Sequence, residues 1–394
     1  MIGRGVVRAA AAAAILIALC AVARAQTISD RTSDLQALQV RIAAGDKAAL
    51  AGQAERIHAV GAAIVAAKPE TWQSKRETDS VVIYLMSGGD PRDVARLVDS
   101  GAVPASEVPM IRGALAYVLG NEAEAEKRLA SVDPRTLPLR LAGPIAFAQS
   151  VLATGHDTAK AIALLDLARL LAPGTLVEEA ALRREAILVA DQHQVDRVAL
   201  LARQYASRFG GSVYADPFLQ SLAAALTQSG AIDSAENFAK FKGFFAALTP
   251  ESRRGFLLGL ARAATLGGRF DVGATAARAA LEIAPPDSVE EARGRLYEAM
   301  ARILTPEYDA GLAELQGVAQ AKLDRRDQGL LLAARDVASY LRQSPLDGGA
   351  PPPANAAAAA SSNPNDQIAK TILVAEATLD RTAALVAAPP KGSI

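Results

Sequence analysis

Apolar residues along this chain recur three and four positions apart, and glycine, proline and capping residues interrupt them roughly every 15–25 residues. The pattern is densest between Ala153 and Ala190. There Ala161, Leu165 and Ala168 stand four and then three apart on one helix face, and Pro173 follows as a stop. Small residues on either side of a large one let a second helix approach closely, as in helix–turn–helix repeats. Thr175 and Glu178 then open another helix as a capping box, hydroxyl and carboxylate each satisfying an orphan backbone N–H.

The same punctuation runs through the rest of the chain. Leu35, Leu38 and Ile42 form a short apolar face that ends at Gly45-Asp46, and Leu50, Ile57 and Ile64 form another that stops at Pro69. A helix through Leu85 exits at Gly88-Gly89, where glycine accepts left-handed geometry. Asp90-Pro91 starts the next, with Asp as cap and Pro at the first helical position; Thr249-Pro250-Glu251 and Thr305-Pro306-Glu307 repeat that start. Further breaks fall at Gly120-Asn121, Asp133-Pro134, Gly155-His156, Gly210-Gly211, Gly267-Gly268 and Pro285-Pro286.

Placing Pro285 on Pro173 brings Gly273, Ala277 and Ala280 onto the positions of Ala161, Leu165 and Ala168, so small residues again fill the tight positions. The spacing does not keep the roughly 34-residue period of a regular tetratricopeptide repeat. The expectation is an all-α protein of about seventeen helices, an irregular tetratricopeptide-like helix-pair array or α-solenoid. An ordinary all-α domain with similar capping is the competing reading.

Composition agrees. Of 394 residues, 51% are hydrophobic but only 4% aromatic, so the apolar content is mainly Ala, Leu, Val and Ile. Such sequence favours close-packed helices, whereas a β-sandwich needs alternating runs of β-branched and aromatic residues.

The two ends read differently from the middle. Arg4 and Arg8, the uncharged run Ala9–Val22 and the Ala23-Arg24-Ala25 site lay out a secretory signal peptide over residues 1–25, cut between Ala25 and Gln26. The apolar run is short for a bilayer span, and Leu19 before Cys20 does not fit a lipid-attachment site. Cleavage removes the chain's one cysteine, so the mature protein relies on its core alone. It also removes three of 42 basic residues and none of 42 acidic ones, which argues against nucleic acid as a partner. The helical domain spans 26–343. Residues 344–366 are rich in Pro, Ala, Gly and Ser and read as a mobile linker. Residues 367–394 carry a last helix whose apolar face runs through Ile368, Ile372, Ala375, Leu379, Ala383 and Val386.

Chemistry is sparse. His58, His156 and His193 share no metal-ligand spacing, and there is no nucleophile elbow, phosphate loop or dinucleotide fingerprint. Glu178-Glu179 and Glu290-Glu291 sit in first turns, where carboxylates complement the helix dipole. Trp72, the one tryptophan, reads as a core or interface anchor. The sequence therefore calls for no cofactor, metal or small-molecule substrate, and a lyase would need a catalytic domain for which the chain has no room.

Several segments resemble the MotC family: Leu35–Leu50, Tyr84–Val98, Leu115–Leu152, Lys160–Ala190 and Gln204–Phe218. The run APGTLVEEAALRR beginning at Ala172 is the most specific of them. MotC proteins are periplasmic motility proteins of alphaproteobacterial flagellar systems. The resemblance implies a non-enzymatic protein that binds the periplasmic part of a MotB-like stator protein and supports torque. It transfers no defined functional residues. Arg183, Arg184, Tyr205, Phe209 and Tyr214 are candidate partner surface, with core packing the competing reading for the aromatics. A general periplasmic scaffold without a flagellar tie is the alternative function.

Overall fold

The computed structural model describes residues 26–342. The expected signal peptide, linker and final helix lie outside the described residues. Within them every regular element is a helix, α or 3-10, as the apolar spacing predicts. These residues divide into two compact units, one reaching Arg41 and continuing as Ala48–Leu152, the other formed by Ile42–Lys47 and the chain from Ala153.

The first unit is built from α1 (Ile28–Ala43), α2 (Lys47–Ala66), a 3-10 turn at Pro69–Gln73, α3 (Lys75–Met86) and α4 (Pro91–Asp99). It is completed by α5 (Val108–Val118), α6 (Glu122–Leu129), a 3-10 turn at Pro134–Thr136 and α7 (Leu139–Ala153). Its centre is α3, buried without a break from Glu77 to Leu85 and packed on the first 3-10 turn, α4 and α5. A helix enclosed on every side must satisfy its polar groups internally. Glu77 accepts the Ser29 N–H at 3.0 Å, and Thr32 donates its hydroxyl to Ser80 at 3.2 Å. Asp79, 3% exposed, faces Lys75 at 3.0 Å and Arg140 at 3.6 Å. The exit of α3 requires glycine twice. Gly88 has φ +90°, and a Cβ on Gly89 would lie 2.6 Å from the Tyr84 ring.

The second unit continues with α8 (Thr158–Leu171), α9 (Leu176–Asp191), α10 (Val195–Phe209), α11 (Ala215–Gln228), α12 (Ala235–Lys240) and α13 (Lys242–Ala247). It then runs through α14 (Pro250–Leu266), α15 (Phe270–Leu281), α16 (Val289–Arg302), α17 (Tyr308–Gly317), a 3-10 turn at Gln320–Lys322 and α18 (Arg325–Arg342). Helices adjacent in sequence pack as pairs: α8 with α9, α9 with α10, and each of α14 to α17 with the next. Helices two apart also touch, α9 with α11, α14 with α16 and α16 with α18, while α11 reaches α14 across the short α12 and α13. Pair contacts combined with every-other-helix contacts are the signature of a stacked helix-pair array, with α9, α11, α14, α16 and α18 forming one row.

The repeat read from two prolines is real in space. Ala161, Leu165 and Ala168 are each 0% exposed on α8, and Ala277 and Ala280 are 0% and 1% exposed on α15 beside buried Gly273. The helices that follow also start alike. Thr175 accepts from the N–H of Val177 and Glu178, and Ser288 accepts from Glu291 N–H. Glu178 and Glu291 answer by accepting from Gly174 N–H at 2.5 Å and Asp287 N–H at 2.6 Å, one residue beyond the cap. One expected start is displaced: Thr305 takes the Glu307 N–H into a turn at 3.2 Å, and α17 begins only at Tyr308.

The tight face predicts a measurable cost. Ala168→Leu should destabilise by about 1–3 kcal/mol, because a leucine there overpacks a closed contact between helices. Urea unfolding followed by far-ultraviolet circular dichroism tests this, and an unchanged midpoint would show that the contact yields freely.

Candidate functional site

The residues singled out from sequence fall together at the junction of α9, α10 and α11. Tyr205 and Phe209, however, are 1% and 3% exposed, so they are core and not partner surface. They continue the buried stripe Val198, Leu201, Ala202 of α10, a spacing already visible in the sequence. The Tyr205 ring packs on Phe218 at 4.3 Å and on Phe209 at 5.9 Å, and its hydroxyl donates to Glu179 at 3.0 Å. Arg183 and Arg184 are half-buried. Arg183 lies over the half-buried Tyr214 ring at 4.9 Å, a cation–π contact, and Arg184 donates to Thr154 at 3.2 Å. Of the five, Arg183, Arg184 and Tyr214 keep partial access to solvent.

The first turn of α9 does more than complement a helix dipole. Glu178 and Glu179 are 1% and 0% exposed, and Glu185 two turns on is 0% exposed. Glu178 pairs with Arg208 at 2.8 Å. Glu185 lies between Arg169 and Arg197, each 2.7 Å away, and Asp166 touches both guanidiniums at 3.1 and 2.6 Å. This quartet crosses α8, α9 and α10 and locks their register. Its sign in the sequence is a carboxylate interrupting the apolar face of Ala181, Leu182, Ala186 and Val189.

Glu179 has only partial relief. One carboxylate oxygen takes the Tyr205 hydroxyl, and Ser212 also helps to hold the charged carboxyl. Burial pushes its carboxyl above the usual range, against the opposing pull of hydrogen bonds and of Arg183. A raised acid pKa in the folded state means the fold holds that proton longer than the unfolded chain does. The contribution is therefore complete at low pH and is lost as pH rises through the folded value. Glu179→Gln, which imitates the protonated form, should match the parent near pH 4 and exceed it increasingly toward pH 8. Urea midpoints across that range decide it; a gap that does not widen with pH would rule the ionisation out as the cause.

The first unit holds a cleft of about 300 Å³. Ile64 and Ala67 at the end of α2, Trp72 and Leu97 supply apolar walls, while Asp93, Arg96 and Ser100 of α4 and its exit stand at the polar side. Trp72 is 1% exposed and Val65 is 61% exposed. The polar side is rigidly wired. Tyr84 donates to Asp93 at 3.0 Å and accepts Asp90 N–H at 2.9 Å, and Arg96 holds the other Asp93 oxygen at 2.6 Å. Burial raises the Tyr84 phenol, so it stays a donor. At the start of the same helix Arg92 chelates Asp90 through its side chain and holds that carboxyl down at about 2. Neither the sequence motifs nor the apolar period pointed to this cleft, because its walls come from three separate elements.

The chemistry on offer is recognition. A cleft of this size accommodates one or two side chains, its walls are mostly apolar, and its charged groups are already paired. All three histidines are exposed; His193 occupies the left-handed exit of α9 at φ 56°. Among the described residues no group of His, Cys, Asp and Glu could hold a metal ion. No helix among them is long and apolar enough to cross a membrane.

An all-α protein of paired helices, with buried ionic locks and an apolar cleft, is the class that this fold and site define. The chain belongs to the MotC family: the family model described as "Chemotaxis protein MotC" matches residues 4–389. It is also 27% identical over 316 residues to "Chemotaxis protein MotC" of Rhizobium meliloti (strain 1021), covering 79% of this chain and 71% of that protein. No solved structure matches it. Membership places the chain among motility- and chemotaxis-related proteins.

Proposed function

We propose that this chain is a non-enzymatic periplasmic motility protein. It binds the periplasmic part of a MotB-like flagellar stator protein and thereby supports motor rotation. The observation that carries this reading is the family match across residues 4–389, which includes the amino-terminal arginines and apolar run of an export signal. The helix-pair array supports it, since stacked pairs present extended surfaces suited to a protein partner. Export needs no span after cleavage at Ala25-Gln26, and binding needs no metal, nucleotide or lipid.

Cells lacking the protein should assemble filaments that fail to turn properly, because the defect lies in torque. Purified chain should retain the periplasmic domain of the stator protein in chelator and without detergent. Normal swimming of the deletion strain would favour a general envelope scaffold, and missing filaments would favour a role in assembly. Intact mass from an envelope fraction checks export: the expected species begins at Gln26, and one keeping residues 1–25 would overturn it.

A further inference from the structure

We infer that the Trp72 cleft of the first unit seats an apolar side chain of an acidic protein segment, whose carboxylates meet Arg92 and Arg96. The identity of the partner rests on the proposed stator contact; the chemistry of the seat does not. Three observations carry it. First, the walls at Ile64, Trp72 and Leu97 are apolar and enclosed, and Val65 stands 61% exposed beside them. The opening admits one or two side chains, and an apolar one that enters leaves water behind on every wall. Pockets of this kind hold the anchors that dominate protein interfaces.

Second, what the polar side still offers is donors. Asp93 already accepts from Tyr84 at 3.0 Å and from Arg96 at 2.6 Å. The Ser100 hydroxyl donates to the Leu97 carbonyl at 2.7 Å and accepts the Ala102 N–H at 3.3 Å. Arg96 has five N–H donors, and its side chain is 72% exposed beyond its contact with Asp93. The polar end of an occupant must therefore accept, and a carboxylate accepts most strongly from a guanidinium.

Third, the donors continue past the cleft. Arg92 lies one turn earlier on α4, its side chain 84% exposed, while its partner Asp90 is 34% exposed. Asp93 is 15% exposed, so on both pairs the carboxylate sits behind and the guanidinium reaches outward. Two cations along a helix, with an apolar hole beside one of them, fit a segment of a protein better than a lone small molecule. The Tyr84–Asp93–Arg96 chain already fixes one cation in place, so little ordering is lost when the segment binds.

Trp72 is the only tryptophan, so the chain carrying isotope-labelled tryptophan gives one indole N–H resonance, and that resonance reports the cleft. The probe is the peptide acetyl-Leu-Glu-Leu-Glu-amide. It should shift the resonance saturably, and peptides with lysine for glutamate or glycine for leucine should bind about tenfold more weakly. Val65 is exposed, so either charge is tolerated there. Val65→Glu should weaken the acidic peptide about tenfold, and Val65→Lys should not weaken it. Arg96→Glu should reverse the preference, taking the lysine peptide over the acidic one. No shift, or binding indifferent to these charges, would overturn the seat. So would a shift that grows with the concentration of the chain alone, which assigns the cleft to a second copy. Retention of the stator domain separates the two readings. A parent chain that takes the peptide but not the stator domain overturns the stator contact and leaves the seat standing. Equal retention of that domain by the parent and by Val65→Glu overturns the cleft as its seat and leaves the stator contact standing.

Discussion

Arg169→Ala should cost the second unit about 3–5 kcal/mol, the effect of leaving one member of a buried ion pair without its partner. Glu185 is fully buried and accepts from Arg169 and Arg197, while Asp166 closes the group on the solvent side at 51% exposure. Two cations and two anions balance. Removing Arg169 leaves two carboxylates against one guanidinium and takes from Gln204 the donor that reaches it at 2.6 Å. Burial already drives the Glu185 carboxyl upward and the guanidiniums pull it back, so losing one tips the balance toward protonation. Glu185→Leu is the opposite experiment. It removes the buried charge itself, and both arginines, 17% and 34% exposed, keep Asp166 and water. It should therefore cost well under half as much, and Arg169→Ala combined with Glu185→Leu should recover most of the loss. Urea unfolding by far-ultraviolet circular dichroism measures all three. A loss below about 1 kcal/mol for Arg169→Ala would mean that water reaches Glu185 and that the quartet behaves as a surface pair.

What the sequence disclosed is what period and punctuation encode. Asp90, Asn121, Thr175 and Thr249 cap helices in the structure because a short polar side chain before an apolar run has few better uses. The alignment of Pro285 on Pro173 found two helices in equivalent places because tight packing demands small residues at the same steps. Burial direction was harder to read. Tyr205 is amphipathic and Phe209 an aromatic found at interfaces as well as in cores, and only their register with Val198 and Ala202 assigns them to the core. Glu178 and Glu179 show the same limit from the other side. A first-turn carboxylate has a sufficient local reason to exist, and that reason hides the tertiary partners Arg208 and Tyr205. The Trp72 cleft was least legible, since Ile64, Trp72 and Leu97 are brought together by tertiary packing alone.

The first unit should be as sensitive at Trp72 as the second is at Arg169. Trp72 is the largest side chain in its core and almost wholly enclosed, although it stands on a short 3-10 turn with few backbone bonds to hold it. Its ring is thus what fastens the α2–α3 connection to α3 and forms the floor of the cleft. Trp72→Ala deletes that floor and joins the vacated volume to an existing opening of about 300 Å³. The expected loss is about 3–5 kcal/mol, at the large end for a core truncation because α3 cannot collapse inward. Its enclosed neighbours from Val81 to Leu85 already fill the space on that side. Trp72→Phe keeps an aromatic plate over Ile64 and Leu97 and should cost roughly 1–2 kcal/mol. Both variants remove the only tryptophan, so circular dichroism rather than fluorescence must follow them. In the parent chain the same residue supplies an independent check: its emission should be that of an indole shielded from water and resistant to acrylamide. Ready quenching, or a Trp72→Ala loss below about 1 kcal/mol, would show that the cleft floor is loose and that α3 holds the unit without it.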